Sequence, residues 1–179
     1  MSYEDVLHFW FEEIDPALWF AKDEAFDRTL GERFGDLHHR AAQAECWTWR
    51  ASPRGRLAEV ILLDQFSRNI HRDTPQAFVH DPMALVLAQE AIACGADAKL
   101  RPMERSFLYM PFMHSESLVI HEQAVPLFRA TGIWESYDFE LKHKAIIERF
   151  GRYPHRNAIL GRASTPEEVA FLEEPGSSF

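Results

Sequence analysis

An all-α fold of about eight or nine helices, joined by short connections, is predicted by three features of the sequence. Apolar residues recur at spacings of three and four along most of the chain, as they do from Phe26 to Ala44. No stretch alternates polar and apolar residues convincingly, and neither Asn-Gly nor Asp-Gly occurs as a hairpin turn. Proline directly follows a capping residue at Ser52-Pro53, Asp81-Pro82 and Thr165-Pro166, which is a helix start signal.

The first half of the chain is predicted to form four helices. Ser2 caps the first helix, and Asp15-Pro16 ends it. Gly31 and Gly35 weaken the second helix, so we expect a kink or a break there. The four predicted helices cover residues 3 to about 14, about 23 to 44, 53 to between 66 and 69, and 82 to 94.

The second half of the chain is predicted to form four or five further helices. Pro111 lies inside the helix that Pro102 opens, and we expect it to kink or end that helix. Thr165 and Glu168 form a capping box at the start of the last helix. The other predicted helices cover residues 118–131 and 137–150, with a short helix at 154–160.

Length and composition indicate a single domain that covers residues 1–179. With 46% hydrophobic and 13% aromatic residues, the chain is able to bury a substantial core. We assign the aromatic side chains near the N-terminus to that core, among them Trp10 and Phe20. Only residues 172–179 have a composition suited to disorder, so we expect a partly disordered tail.

Charge and cysteine content restrict the partners and the compartment. A net charge of -9 argues against nucleic acid and against an anionic membrane surface, since both attract basic proteins. The N-terminus lacks the features of a signal peptide, and the densest aliphatic run, Val60 to Leu63, is too short to cross a bilayer. Cys46 and Cys94 form no C-x-x-C pair, and two isolated thiols fit a reducing compartment, with one disulfide left open. We therefore expect a cytoplasmic protein, with a homodimer among the open oligomeric states.

Positive charge is concentrated in two segments of this acidic chain. Residues 142–162 hold six Lys and Arg against one acid, and residues 50–72 hold five Arg against two acids. The segments share a pattern, since LLDQFSRNIHR (62–72) and IIERFGRYPHR (146–156) align at an offset of 84 residues. One interpretation is that the arginines pair with acidic residues and helix C-termini and hold the helices together. The other is that they converge on one pocket and bind a carboxylate or a phosphate.

The stretch YMPFMHSES is the first candidate for chemistry. Pro111 interrupts the helix just before His114 and Glu116, so His114 is placed to act as a general base that Glu116 orients. The alternative is a half-buried structural histidine, with Glu116 paired to an arginine.

Asp64 and Arg68 are the second candidate. They lie four residues apart and can simply pair on one helix. Asp64, however, follows the apolar run Val60 to Leu63 directly, so we expect it to be buried and to have polar partners.

Sequence motifs with well-known cofactor chemistry are absent from the chain. It has no P-loop, no dinucleotide-binding glycine motif and no EF-hand loop. A metal site built from His114, Glu116 and His155 or His71 has no support in the spacing of these residues. We therefore predict neither a cofactor nor a metal ion.

Long stretches of the chain resemble a bacterial family, the domain of unknown function 924. They are SPRGRLAEVILLDQFSRNIHR, YMPFMHSES, RFGRYPHRNAILGRASTPEE and FLEEPGSSF, and the resemblance runs from Trp10 to the C-terminus. It implies a tetratricopeptide-like array of antiparallel helix pairs and implies no activity. The chain departs from the family pattern at Ser67, where proline is frequent, and at His71, where an aromatic residue is usual. The family's characteristic positions are mostly polar, which favours a shared polar pocket.

We predict a polar, net-cationic pocket that binds a small anionic ligand or the acidic end of a peptide. Arg68, Arg152 and Arg156 would supply charge-assisted hydrogen bonds, and Asp64 and Glu116 would hold these arginines in position. The predicted ligand-binding residues are Asp64, Arg68, Asn69, His114, Glu116, Arg152, His155, Arg156 and Asn157.

Two alternatives to simple ligand binding stay open. One is a hydrolase-type enzyme in which His114 or His155 acts as general base, with Glu116 as a further candidate catalytic residue. The other is a helical scaffold that binds protein and has no small-molecule site. The sequence does not decide whether a reaction is catalysed.

Overall fold

A computed structural model describes residues 1–178, which consist of helices and short connections with no β-strand. The α-helices are α1 (Tyr3–His8), α2 (Glu24–Ala42), α3 (Pro53–Ile61), α4 (Ser67–Ile70), α5 (Asp81–Ala93), α6 (Pro102–Met113), α7 (Leu118–Thr131), α8 (Trp134–Phe150) and α9 (Pro166–Leu172). π-Helical turns at Phe9–Glu13 and Leu62–Phe66 extend α1 and join α3 to α4. The predicted all-α fold is confirmed over these residues. Its tetratricopeptide-like character and its single-domain organisation stay predictions.

Most helices start at or next to the predicted positions, although Asp81, predicted as a cap, is the first residue of α5 and the N-cap is His80. Asp23 Oδ1 accepts hydrogen bonds from the Ala25 and Phe26 amides, both at 2.9 Å, at the start of α2. Thr165 and Glu168 form the predicted capping box, in which the Thr165 amide donates to Glu168 Oε2 at 2.7 Å. The Ser52 hydroxyl accepts a long bond of 3.5 Å from the Gly55 amide at the start of α3.

Three predictions about the helices differ clearly from the observed structure. Helix α2 runs from Glu24 to Ala42 without the break expected at Gly31 and Gly35. Its buried apolar face outweighs the cost of the two glycines, which is about 1 kcal/mol each. Helix α8 begins at Trp134, earlier than predicted, and only the short 3₁₀ helix Pro154–Arg156 forms where residues 154–160 were expected to be helical.

One large aromatic and aliphatic core lies between α1, α2, α3, α5, α6 and α7. Trp10 is fully buried and its ring centroid lies 5.3 Å from that of Phe66 and 5.7 Å from that of Phe107. Phe20 is 73% exposed, so its assignment to the core is wrong, although its ring stacks at 6.2 Å on Phe107.

The C-terminal part of the chain packs around a second, smaller apolar cluster. This cluster is formed by Ile146, Ile147, Tyr153 and Phe171. Beyond α9, the buried Ser177 hydroxyl donates to the Leu172 carbonyl at 3.1 Å. Phe179, the last residue of the tail predicted to be partly disordered, lies outside the described residues, and the disorder stays a prediction.

The short connections place three polar segments near one another. Helices α6, α7 and α8 pack consecutively, and residues 114–117 and 132–133 join them. The residues after α6 and after α8 therefore come close to the π-helical turn Leu62–Phe66 and to the start of α5, as the contacts below show. Among residues 1–178, no helix is long and apolar enough to cross a lipid bilayer.

Candidate functional site

Asp64 and His114 form the centre of a buried polar cluster. Asp64 lies inside the π-helical turn Leu62–Phe66, and its side chain is 1% exposed. Its Oδ1 lies 2.7 Å from His114 Nδ1, and its Oδ2 accepts a hydrogen bond of 2.6 Å from Gln65 Nε2. Arg68 Nη1 lies 3.2 Å from the same Oδ1. The prediction that Asp64 is buried and partnered is confirmed, and the turn belongs to a type that is frequent at functional sites.

The charges in this cluster determine the protonation of Asp64 and His114, which we call the dyad. Burial alone would raise the pKa of Asp64, but the positive charge of Arg68 and the bond to His114 outweigh burial and lower it. Burial and the charge of Arg68 lower the pKa of His114, against the opposing effect of Asp64. At neutral pH, His114 is therefore a neutral imidazole, and its Nδ1–H donates a hydrogen bond to the Asp64 carboxylate.

Asp81, at the start of α5, is shared by two arginines. Arg68 donates from Nη1 and Nη2 to the two carboxylate oxygens, each at 2.9 Å. Arg156 Nη1 reaches the Oδ2 atom of the same carboxylate only at 3.4 Å. The bidentate pair with Arg68 is thus the stronger interaction with Asp81, and the contact with Arg156 is the weaker one.

Arg156 is held mainly by aromatic and backbone contacts. Its guanidinium carbon lies 4.6 Å from the centre of the Phe78 ring and 4.7 Å from that of Tyr153. Its Nη2 donates to the His114 carbonyl at 3.0 Å, whereas its buried Nε has no hydrogen-bond partner among the described residues. Burial and the nearby charge of Arg68 lower the pKa of Arg156. We name Asp64, Arg68, Asp81, His114 and Arg156 the His114 network.

Glu116 pairs with an arginine, as the alternative interpretation of this stretch expected, but the arginine is Arg162, which was not among the predicted site residues. It pairs with Arg162 through two hydrogen bonds, of 2.7 and 2.8 Å, and also accepts the Tyr153 amide at 2.7 Å. Burial alone would raise the pKa of Glu116, but these hydrogen bonds outweigh burial and lower it. Glu116 therefore orients neither His114 nor one of the predicted arginines, and this part of the prediction is wrong.

Two further histidines line the same region next to Tyr153. The ring centroids of His143 and His155 lie 5.7 and 5.5 Å from that of Tyr153. Burial lowers the pKa of His143 to about 3. Burial, followed by the charge of Arg156, lowers that of His155 to about 4. Both imidazoles are neutral at neutral pH, so they add no positive charge.

The other predicted residues lie at the edge of the His114 network or outside it. Arg152 pairs with Glu168 at 2.6 and 2.8 Å, close to α9. Asn69 donates to Asp27 at 2.8 Å, on the side that faces α2. Asn157 bridges Arg162 and Ser164 through hydrogen bonds of 3.0 Å each. Of the nine predicted residues, the network itself contains Asp64, Arg68, His114 and Arg156.

The network is electrically balanced, which corrects the expected net-cationic pocket. Two arginines, Arg68 and Arg156, stand against the two carboxylates of Asp64 and Asp81, with His114 neutral. Arg152 likewise has its own carboxylate in Glu168. The prediction that these arginines leave positive charge uncompensated is wrong, because each lies within 4 Å of a carboxylate. The binding of a ligand by these residues stays a prediction.

Three residues of this region were not predicted as site residues from the sequence. Asp81 was used there only as a helix start signal, Arg162 only as part of a basic segment, and Phe78 not at all. Only the Asp81-Pro82 pair carried a usable signal, since an acid at a helix N-terminus also marks a buried carboxylate when cations lie nearby. No group of three or more His, Cys, Asp or Glu residues in the described part of the chain is placed to hold a metal ion.

These features define an all-α protein with a buried carboxylate–histidine–arginine network between three of its segments. The chain belongs to the family described as bacterial protein of unknown function (DUF924), which matches residues 6–176. It is similar to the solved structure of a protein of unknown function from Agrobacterium tumefaciens, with 40% sequence identity, a TM-score of 0.90 and coverage of 96% of each chain. No curated protein matches the chain.

Proposed function

We propose that the protein is an enzyme of the hydrolase type in which His114 acts as general base. The observation that carries this proposal is the 2.7 Å contact between His114 Nδ1 and the buried carboxylate of Asp64. A carboxylate that accepts a hydrogen bond from Nδ1–H leaves the lone pair on Nε2, and it stabilises the imidazolium that forms when Nε2 takes a proton. His114 is also the more accessible partner, since its side chain is 15% exposed and that of Asp64 is 1% exposed.

The arginines next to His114 are suited to stabilise the negative charge that develops during hydrolysis. Arg68 Nη1 lies 3.2 Å from Asp64 Oδ1, and Arg156 donates to the His114 carbonyl at 3.0 Å. Guanidinium groups stabilise the negative charge that develops when a base-activated water attacks an ester or phosphoester. An incoming anionic substrate would compete with Asp81 for Arg156, whose present bond to that carboxylate is the longest in the network, at 3.4 Å.

The test is hydrolysis of a panel of chromogenic esters and phosphoesters by the wild type and by His114→Gln. We expect at least one substrate to be turned over, with a loss of about 100-fold or more in kcat/KM for the variant, since general bases contribute about 10²–10⁴. His8→Gln is the matched control, because the His8 side chain is 62% exposed and lies outside the network. Equal rates for the wild type and His114→Gln on every hydrolysed substrate would contradict the proposal.

A second candidate function is the binding of a small anionic ligand without catalysis. It is favoured by Arg156, which has an unpartnered buried Nε and shares its carboxylate with Arg68. In that case acetate or phosphate should raise the melting temperature of the wild type by mass action, and His114→Gln should retain this shift while Arg156→Gln loses it. Loss of the shift in both variants would show that the anion also needs His114, and the turnover assay then distinguishes binding from catalysis.

A further inference from the structure

A second region of the molecule carries positive charge that the fold leaves uncompensated. It is a shallow depression of ≈ 200 Å³ between the start of α3 and the connection that follows α5. We call it the basic depression. It is lined by Arg50, Ala51, Pro53, Arg56, Cys94, Ala96 and Lys99.

A close backbone contact builds one wall of the basic depression. The first turn of α3 lies so near the 3₁₀ helix Trp47–Ala51 that a Cβ atom at Gly55 would be 2.1 Å from the Trp49 carbonyl oxygen. Only glycine permits this approach, since backbone atoms have no room to move away. The contact keeps Arg50 and Arg56, one on each side of the Ser52-Pro53 helix start, at the same depression.

The three cations of the depression differ in their pairing. Arg50 forms two hydrogen bonds of 2.7 Å with Glu59, whose side chain is fully buried, so its guanidinium is held in place. Arg56 and Lys99 form no ion pair or side-chain hydrogen bond with the described residues. No acidic residue lines the depression. Two full positive charges therefore remain there, in a chain whose net charge is -9.

The start of α3 adds to this positive potential. The helix covers nine residues, Pro53–Ile61, and its first residue, Pro53, lines the depression together with Ala51. Free amides at a helix start carry partial positive charge, which favours an anion. The volume accommodates a tetrahedral anion with a few waters and lies below the about 300 Å³ at which pockets for larger molecules begin.

We propose that the basic depression binds the phosphoryl group of a small molecule, independently of the His114 network. Arg56 and Lys99 would contact the phosphoryl oxygens, and Arg50, positioned by Glu59, would offer its remaining N–H donors. A dianion is favoured over a carboxylate because it matches the two uncompensated charges and accepts hydrogen bonds from several directions.

Cys94 makes the proposal testable in the intact protein. It lines the depression and is exposed, whereas Cys46 is buried and 2% exposed. The rates at which iodoacetate and iodoacetamide alkylate Cys94 should be measured at pH 7.5 and constant ionic strength. Both reagents attack the same thiolate, so the ratio of the two rates reports the local potential that only the anionic reagent senses.

We expect the iodoacetate to iodoacetamide ratio to fall about two- to fivefold in the double variant Arg56→Gln/Lys99→Gln, as removal of two partly screened charges predicts. The matched control is Arg28→Gln/Arg129→Gln, which changes the net charge equally at two exposed positions outside the depression. Circular dichroism checks that both variants fold. An unchanged ratio in the folded double variant, or an equal fall in the control, would overturn the proposal.

Phosphate protection distinguishes a site from a diffuse potential. Inorganic phosphate should slow alkylation of Cys94 saturably in the wild type, with at least a tenfold weaker midpoint in the double variant. Glycerol 3-phosphate should protect at least as well as inorganic phosphate if the ligand is a phosphomonoester, and less well if it is the free ion. Protection by acetate equal to that by phosphate, or protection that never saturates, would overturn the assignment of a phosphoryl site.

Discussion

In the His114 network, each arginine lies close to a carboxylate, whereas in the basic depression Arg56 and Lys99 have none. The sequence led us to expect the reverse, with free charge around Arg68 and Arg156. Residues 50–72 do carry a net positive charge, but Arg68 and Arg72 pair with Asp81 and Asp27, which lie outside that segment. Net charge along a segment therefore says little about the charge that remains in space after helices pack.

The two regions also differ in burial. Asp64 and Arg156 are 0% and 6% exposed, so each buried charge depends on its own partner, Arg68 for Asp64 and Asp81 for Arg156. In the basic depression, Arg56 and Lys99 have no carboxylate partner to depend on, whereas Arg50 pairs with the buried Glu59. This contrast predicts large energetic effects of substitution in the network and small effects in the depression.

The largest effect is expected for Asp64→Ala. The variant leaves Arg68 and His114 without their shared carboxylate in the interior, and loss of one partner of a buried ion pair costs about 3–5 kcal/mol. Urea denaturation measures the free energy of unfolding. Asp36→Ala is the control, since Asp36 is an exposed carboxylate on α2, and it should change the free energy by less than about 0.5 kcal/mol. A loss below about 1 kcal/mol for Asp64→Ala would mean that water compensates the network.

Acidification should be the next largest effect, and it should act through buried histidines, none of which lines the basic depression. The folded pKa values of His143 and His155, about 3 and about 4, lie below the ordinary value of 6.5. The unfolded chain therefore binds more protons below pH 6.5, and stability falls as the pH decreases from 7 toward 4. The slope contributed by each group is at most about 1.4 kcal/mol per pH unit.

Other groups modify this pH dependence, and burial also lowers the pKa values of His80 and His114, which adds to the loss. His38, with a pKa lowered to about 4 mainly by burial, adds to the loss. Glu140, whose pKa burial raises, contributes stability as it becomes protonated and opposes the loss. Urea denaturation at pH 7, 6 and 5 gives the net slope. His38→Gln should reduce the slope, whereas His39→Gln, at an exposed neighbouring position, should not. No histidine lines the basic depression, so the alkylation ratio at Cys94 should stay constant over the range in which the protein remains folded.

A smaller effect is expected when an arginine is replaced by lysine in each region. Arg156→Lys removes the planar group that lies between Phe78 and Tyr153 and loses the bond to the His114 carbonyl. We expect a loss of about 1–3 kcal/mol in the free energy of unfolding, because lysine replaces neither the stacking on the two rings nor the several N–H donors of the planar guanidinium. Arg56→Lys, in contrast, keeps the charge of a half-buried side chain that has no ion pair, and should cost less than about 0.5 kcal/mol. Equal losses at the two positions would show that the difference in burial has no energetic consequence.

The fold was predictable because its signals are local. Pro102 and Thr165-Pro166 start helices where expected, and the predicted limits of α7, Leu118 and Thr131, are the observed ones. The π-helical turn Leu62–Phe66 was not predictable, because an i→i+5 turn has no residue signature and arises from packing of the whole helix. That turn contains Asp64, so the geometry of the dyad lay beyond the sequence even though both of its residues were named.

The pairing of the arginines failed for a related reason. Sequence spacing allowed Asp64 to pair with Arg68 on one helix, and this contact exists. The bidentate partner of Arg68 is Asp81, and the partner of Glu116 is Arg162, 46 residues further along the chain. Pairs of this kind depend on how helices are arranged in space, which hydrophobic periodicity does not specify.

The smallest effect, and the most informative about the basic depression, is expected for Arg56→Gln/Lys99→Gln. Neither cation has a carboxylate partner, so their removal leaves no unpaired charge and relieves the repulsion between them and Arg50. The free energy of unfolding should therefore change by less than about 0.5 kcal/mol, or increase slightly. The same urea experiments in low and high salt should show that any increase disappears at high salt, since exposed charges are screened.

A loss above about 1 kcal/mol would show that Arg56 and Lys99 hold the fold together, and the depression would then be a counterpart of the His114 network. An unchanged stability instead fits cations that the chain retains for a ligand, because sites kept for binding gain nothing for the fold.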